Sequence, residues 1–208
     1  KILYLMSLNF LLKLKTIFIL FISASVYIVK SNENKNVIFL LADGTNDLEA
    51  ISVIHVLRLA GLHVVVASLD KNDTVTCTSG VAIKVDTSIL SVSQQIPFDA
   101  VVFVDGIKAT NIFIKSEDVA VLLKEHEYRR RYIATSGSGP LVLLAHEIGF
   151  MKSITSSTLY RNQLEDHYKY TDSDIVVDGK LITNRYSGKA IEFALSIINH
   201  MQGEELAE

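Results

Sequence analysis

Residues 131–150 read R-Y-I-A-T-S-G-S-G-P-L-V-L-L-A-H-E-I-G-F. Residues 132–135 form an apolar run of the kind buried in a parallel sheet, 136–139 form a turn of small residues, and Pro140 opens an apolar helix. Proline is favoured at the first helical position, and Ser138 or Gly139 suits the N-cap before it. A strand that turns sharply into a helix aims its turn residue at unpaired main-chain N–H groups and at the positive end of the helix. Many α/β enzymes place a nucleophile at such an elbow, because negative charge is stabilised there. The centre of this elbow is Gly137, which has no side chain.

Outward from the elbow the same strand–helix alternation repeats. The apolar runs 36–42, 63–69 and 99–104 read as buried strands, and 47–60 and 116–130 read as helices, the second with Ser116 as N-cap and Glu117 and Asp118 in its first turn. Residues 75–77 and 81–85 suit one hairpin, and 175–177 and 181–183 another across Asp178-Gly179. A closing helix runs from 187 or 188 to 201. This pattern predicts an α/β fold whose mostly parallel sheet carries helices on both faces. Sites in such sheets lie beyond the carboxyl ends of the strands, here residues 43–49, 105–106 and 136–139. Helix 47–60 is apolar around most of its girth, which predicts cover from a second subunit as well as from the sheet.

The amino end differs in composition. Lys13 and Lys15 precede an uncharged apolar run over 16–29, followed inside it by Ser23, Ala24 and Ser25. That order reads as a secretory signal peptide over 1–25, with an uncleaved anchor as the alternative, then a polar spacer over 26–35, a domain over 36–203 and a tail over 204–208. Secretory localisation, in the endoplasmic reticulum lumen or outside the cell, follows from that leader, and contact with membrane would run only through it. The single cysteine, Cys77, excludes an internal disulfide. Asn72-Asp73-Thr74 is a glycosylation sequon in a predicted turn. A net charge of −3 without long basic runs argues against nucleic-acid binding. The cluster Arg129-Arg130-Arg131 reads as favourable charge at a helix C-terminus.

The blocks A-D-G-T-N-D-L-E-A (42–50), F-D-A-V-V-F (98–103), G-P-L-V-L-L-A-H-E-I-G-F (139–150), D-G-K-L-I-T-N-R (178–185) and I-E-F-A-L-S-I-I (191–198) resemble the ThiJ/PfpI superfamily in its DJ-one-like branch. The resemblance covers about 36–203. It implies a flavodoxin-like three-layer sandwich, a homodimer and a site built on an elbow cysteine. Activities it brings with it are glyoxalase or deglycase chemistry, redox sensing, chaperone action and, in other branches, proteolysis. Carried over by position, the family's acid falls on Glu49, its cysteine on Gly137 and its histidine on Ser157. The Pro-Gly-Gly loop reads Val104-Asp105-Gly106, and the Arg-Gly-Pro-Gly before the last helix reads Arg185-Tyr186-Ser187-Gly188.

These departures have chemical consequences. Glycine supplies neither nucleophile nor oxidisable sulfur, and loss of the histidine removes a proton shuttle of a kind usually worth about 10²–10⁴ in rate. Asp105 adds a carboxylate near Glu49, opposing anionic intermediates. Ser136 and Ser138 flank Gly137 but miss the G-x-S-x-G spacing and have no base in reach, so Ser138 reads as a helix cap and Ser136 as a turn residue. The histidines show no metal-ligand spacing, and no cofactor or metal is expected. The resulting expectation is a catalytically degenerate, chaperone-like or ligand-binding protein, with a pocket of Glu49, Asp105, Gly106, Gly137, Ser138, Ser157 and Arg185. Its partner is expected to be a small molecule or a client protein. The alternative is an active enzyme of altered chemistry, glyoxalase- or deglycase-like or a hydrolase, using Glu49 with water or Ser138.

Overall fold

The computed structural model describes residues 35–69, 72–92 and 97–203. The predicted leader, residues 26–34 of the spacer and the tail at 204–208 lie outside the described residues. In chain order the described elements are β1 (Asn36–Leu41), α1 (Asp47–Leu59), β2 (His63–Ser68), β3 (Thr74–Thr76), β4 (Ala82–Lys84), β5 (Thr87–Ser88), α2 (Ile89–Val92), β6 (Ala100–Phe103), α3 (Ile107–Ile114), α4 (Glu117–Tyr128), β7 (Tyr132–Ser136), α5 (Pro140–Ala145), β8 (Ser153–Ile154), α6 (Arg161–Leu164), β9 (Lys169–Tyr170), β10 (Ile175–Asp178), β11 (Leu181–Asn184) and α7 (Ala190–Gln202).

A seven-stranded sheet runs β10-β11-β7-β6-β1-β2-β5, parallel except where β10 meets β11. The period-two alternation of a strand sorts its apolar side chains into two cores. Val37, Phe39 and Leu41 of β1 pack with Val53 and Leu57 of α1 and Phe193 and Ile197 of α7. Ile38 and Leu40 point the other way, into a core with Phe113 of α3, Leu123 of α4 and Val142 of α5. Layers on both faces of a mostly parallel sheet make this the α/β, flavodoxin-like arrangement the sequence predicts. Chain order departs in opposite directions from β1, to β2 on one side and β6 on the other, and the crevice at that switch point is where the candidate site lies.

One sequence expectation changes. Residues following Gly106 form a helix, α3, where a loop alone was expected. Gly106 starts it at φ +139° without a side-chain cap, and I-K-A-T-N-I-F-I is rich in residues of weak helix propensity, so the usual start signals are missing. The elbow helix α5 is short: it ends at Ala145, with His146 as its C-cap. On α1, Ala50, Val53 and Leu57 face the core, whereas Leu48, Ile51 and Leu59 stay exposed. No helix among the described residues is long and apolar enough to cross a membrane.

Candidate functional site

The chain segments that leave β1, β6 and β7 meet at the carboxyl ends of those strands. Asn46 donates its main-chain N–H to the Asp105 carbonyl at 2.8 Å, and its side chain caps α1 by accepting the Glu49 N–H at 3.1 Å. That cap fixes where α1 begins and puts Glu49 in its first turn, facing inward and fully buried. Glu49 Oε2 accepts the Asp105 main-chain N–H at 3.1 Å, and Oε1 accepts Asn184 Nδ2 at 3.3 Å. Burial dominates its titration and pushes the carboxyl up to about 7. The Ser136 hydroxyl, the Asp105 N–H and Asn184 pull the other way, while the Asp105 charge adds to the rise.

The elbow itself is filled from outside. Gly137 adopts φ +57°, and a Cβ built on it would lie 2.3 Å from Asp105 Cγ and 2.6 Å from Asp105 Oδ1. The Asp105 carboxylate thus stands in the volume an elbow side chain would take. Its Oδ1 accepts the Ser138 N–H at 2.8 Å, the Ser138 hydroxyl at 2.5 Å and its neighbour Gly106 N–H at 2.8 Å. Charge-assisted bonds of this kind are about twice as strong as neutral ones. Gly139 completes the turn by close approach, since a Cβ there would fall 1.7 Å from Thr135 Oγ1.

Ser138 does not cap α5 as expected; Gly139 holds that position and has no side chain to offer. The Ser138 hydroxyl turns instead toward Asp105 and lies 2.8 Å from Thr110 Oγ1 of α3. It is fully buried, out of reach of a substrate. Ser136 ends β7 with its Oγ accepting the Asp105 N–H at 3.0 Å. Ser157 adjoins the elbow through its N–H, which donates to the Gly137 carbonyl at 3.0 Å. Arg185 goes elsewhere: its guanidinium pairs with Asp172, and it does not border the cleft. The buried histidines are engaged away from the elbow, His126 Nδ1 with the Leu122 carbonyl and His146 Nε2 with that of Phe113.

Above Asp105 and Gly106 opens a cleft of about 450 Å³, bordered also by Asn46, Cys77, Lys108 and Tyr160. Burial, helped by the charges of Asp47 and Asp43, pushes the Cys77 thiol up to about 11, so it stays protonated at neutral pH. Among the described residues no group of three or more His, Cys, Asp or Glu is placed to hold a metal ion. Thr110 and Asn184 escaped sequence reading. The first sits in the helix that lacked start signals, and the second follows Thr183 at the end of a buried strand.

The sequence matches the DJ-1/PfpI family over residues 35–200. The chain belongs to the DJ-1/PfpI family. It is 38% identical over 173 residues to Protein dj-1beta of Drosophila melanogaster, covering 83% of this chain and 92% of that relative. It is 34% identical over 175 residues to the Parkinson disease protein 7 homolog of Danio rerio, covering 83% and 93%. A Caenorhabditis elegans relative, glutathione-independent glyoxalase DJR-1.2, is 29% identical over 168 residues, covering 81% and 89%. The crystal structure of Drosophila melanogaster DJ-1beta superposes with a TM-score of 0.81 over 84% of this chain and 94% of that one, at 37% identity. Within the DJ-1/PfpI fold, then, the elbow of this chain presents a carboxylate from a neighbouring loop rather than a side chain of its own.

Proposed function

We propose that this DJ-1/PfpI protein acts by binding, and that the covalent chemistry of the elbow has been lost. The observation that carries the reading is the Asp105 carboxylate seated against Gly137 and held by Ser138 and Gly106. A thiolate at an elbow needs the space and the donors that Asp105 now uses. With Gly137 at the position the family resemblance gives to cysteine, and Ser157 at that of histidine, neither nucleophile nor shuttle remains. What is left is a cleft of mixed polar and apolar lining, fit for a small molecule. The exposed Leu48, Ile51 and Leu59 on α1 support a homodimer or a client-protein surface. The apolar leader supports a place in the secretory pathway.

The test is incubation of the purified chain with methylglyoxal, following loss of the aldehyde and formation of lactate. Background rates are expected. Turnover abolished by Glu49→Ala would overturn the reading.

One observation favours a second reading, an enzyme of altered acid/base chemistry. Glu49, its carboxyl pushed up to about 7, can take or release a proton near neutral pH while it accepts the Asp105 main-chain N–H. A glyoxalase among the relatives points the same way. A serine-hydrolase form of that reading has no support, because Ser138 is buried and bonded to Asp105 rather than to a histidine.

A further inference from the structure

The run Arg129-Arg130-Arg131 divides on folding. Arg129 caps α4 and pairs with Glu125 at 3.0 Å, which is the helix-end role the sequence suggests. Arg130 turns the chain at φ +53°, and Arg131 leads into β7. Both border a second cavity, of about 370 Å³, at the amino ends of β7 and β11, the end of the sheet opposite the elbow.

Lys152 and Lys180 bring two further cations to the same rim. The acids nearby are already engaged. Glu127 accepts the Gly149 N–H at 2.7 Å, and Asp178 accepts the Ser153 N–H at 2.8 Å while lying 3.6 Å from Lys152. Lys180 Nζ sits 3.7 Å from the centroid of the Tyr132 ring. Among the described residues no carboxylate pairs with Arg130, Arg131 or Lys180. Beneath the charges the floor is apolar, formed by the buried Ile133, Ile148 and Leu181.

Neighbouring like charges raise the free energy of a folded chain unless something answers them. A chain of net charge −3 has no general excess of cations, so their gathering over one apolar hollow is local. The volume falls in the range of small-ligand pockets, roughly 300–1,000 Å³, and guanidinium forks match the oxygens of phosphate and carboxylate. We propose that this cavity binds a small organic anion, with its apolar body on the Ile133, Ile148 and Leu181 floor and a phosphate or carboxylate head among Arg130, Arg131 and Lys180. The site is independent of the elbow.

Isothermal titration of the full chain with 1-naphthyl phosphate and 1-naphthoate tests this, with 1-naphthol and inorganic phosphate as controls. At least one naphthyl anion should bind about tenfold or more tightly than either control, and the tighter one names the head group. Arg130→Gly/Arg131→Ser, whose glycine suits the positive φ, should weaken binding about tenfold or more with an unchanged melting temperature. Lys180→Gln should weaken it in the same direction, and Lys84→Gln, at an exposed lysine of β4 that borders neither cavity, should leave it unchanged. Absence of anion binding, equal binding of 1-naphthol, or indifference to both cation-removing variants would overturn the proposal.

Discussion

A side chain grown from Gly137 would run into Asp105: its Cβ would come within 2.6 Å of the Asp105 Cβ and of Oδ1. The two residues are therefore coupled. Asp105 fits because Gly137 is bare, and the donors at the elbow are satisfied because Asp105 is there.

Restoring a thiol by Gly137→Cys alone is expected to fail. The left-handed φ of +57° costs a β-carbon about 1–2 kcal/mol, and displacing Asp105 breaks charge-assisted bonds worth about 1.5–3 kcal/mol each. The single variant should melt several degrees lower and label poorly with iodoacetamide. Gly137→Cys/Asp105→Gly should recover much of the stability and label at pH 7, which thermal unfolding and thiol titration will read together.

Glu49 makes stability depend on pH. Its proton is held up to about pH 7 in the folded chain, against an ordinary value of 4.5. Between those values the folded state keeps a proton that the unfolded state has lost, so this contribution is full below pH 4.5 and falls as pH rises to 7, by ~3 kcal/mol in all. Urea unfolding from pH 4 to 8 should show that slope, and Glu49→Gln should flatten it, with its largest relative gain at pH 8.

Asp105→Ala should destabilise by about 1–3 kcal/mol, since the buried Ser138 donors lose their acceptor. The same variant removes a negative charge that raises the Glu49 carboxyl, so the pH at which stability falls should move down. Chemical denaturation across pH separates the two effects.

Cys77 borders the cleft but is buried, and its thiol is pushed up to about 11. Native protein should resist Ellman's reagent at pH 7.5, whereas urea-unfolded protein should react within minutes. Rapid native labelling would show that the segment around β3 and β4 opens readily.

Most of the frame was legible because buried parallel strands announce themselves as unbroken apolar runs, as at Asn36–Leu41 and Ala100–Phe103. The elbow was legible from small residues followed by Pro140. What escaped was side-chain direction. Sequence placed Asp105 near Glu49, and it is the Asp105 main-chain N–H that meets Glu49, while its carboxylate turns to the elbow. Ser138 looked like a cap because serine usually is one, yet a stronger acceptor stood nearby. Arg185 was drawn to Asp172 by an ion pair between a strand end and a loop, which no local pattern announces.

Peptide mapping by mass spectrometry after exposure to methylglyoxal or an activated ester tests most directly whether anything at the elbow or in the cleft beside it can still attack a carbon centre. The account predicts unmodified Asp105, Ser136 and Ser138, any labelling being confined to exposed lysines and arginines. A stoichiometric adduct on one of those three residues, formed by the native chain and lost on unfolding, would contradict it.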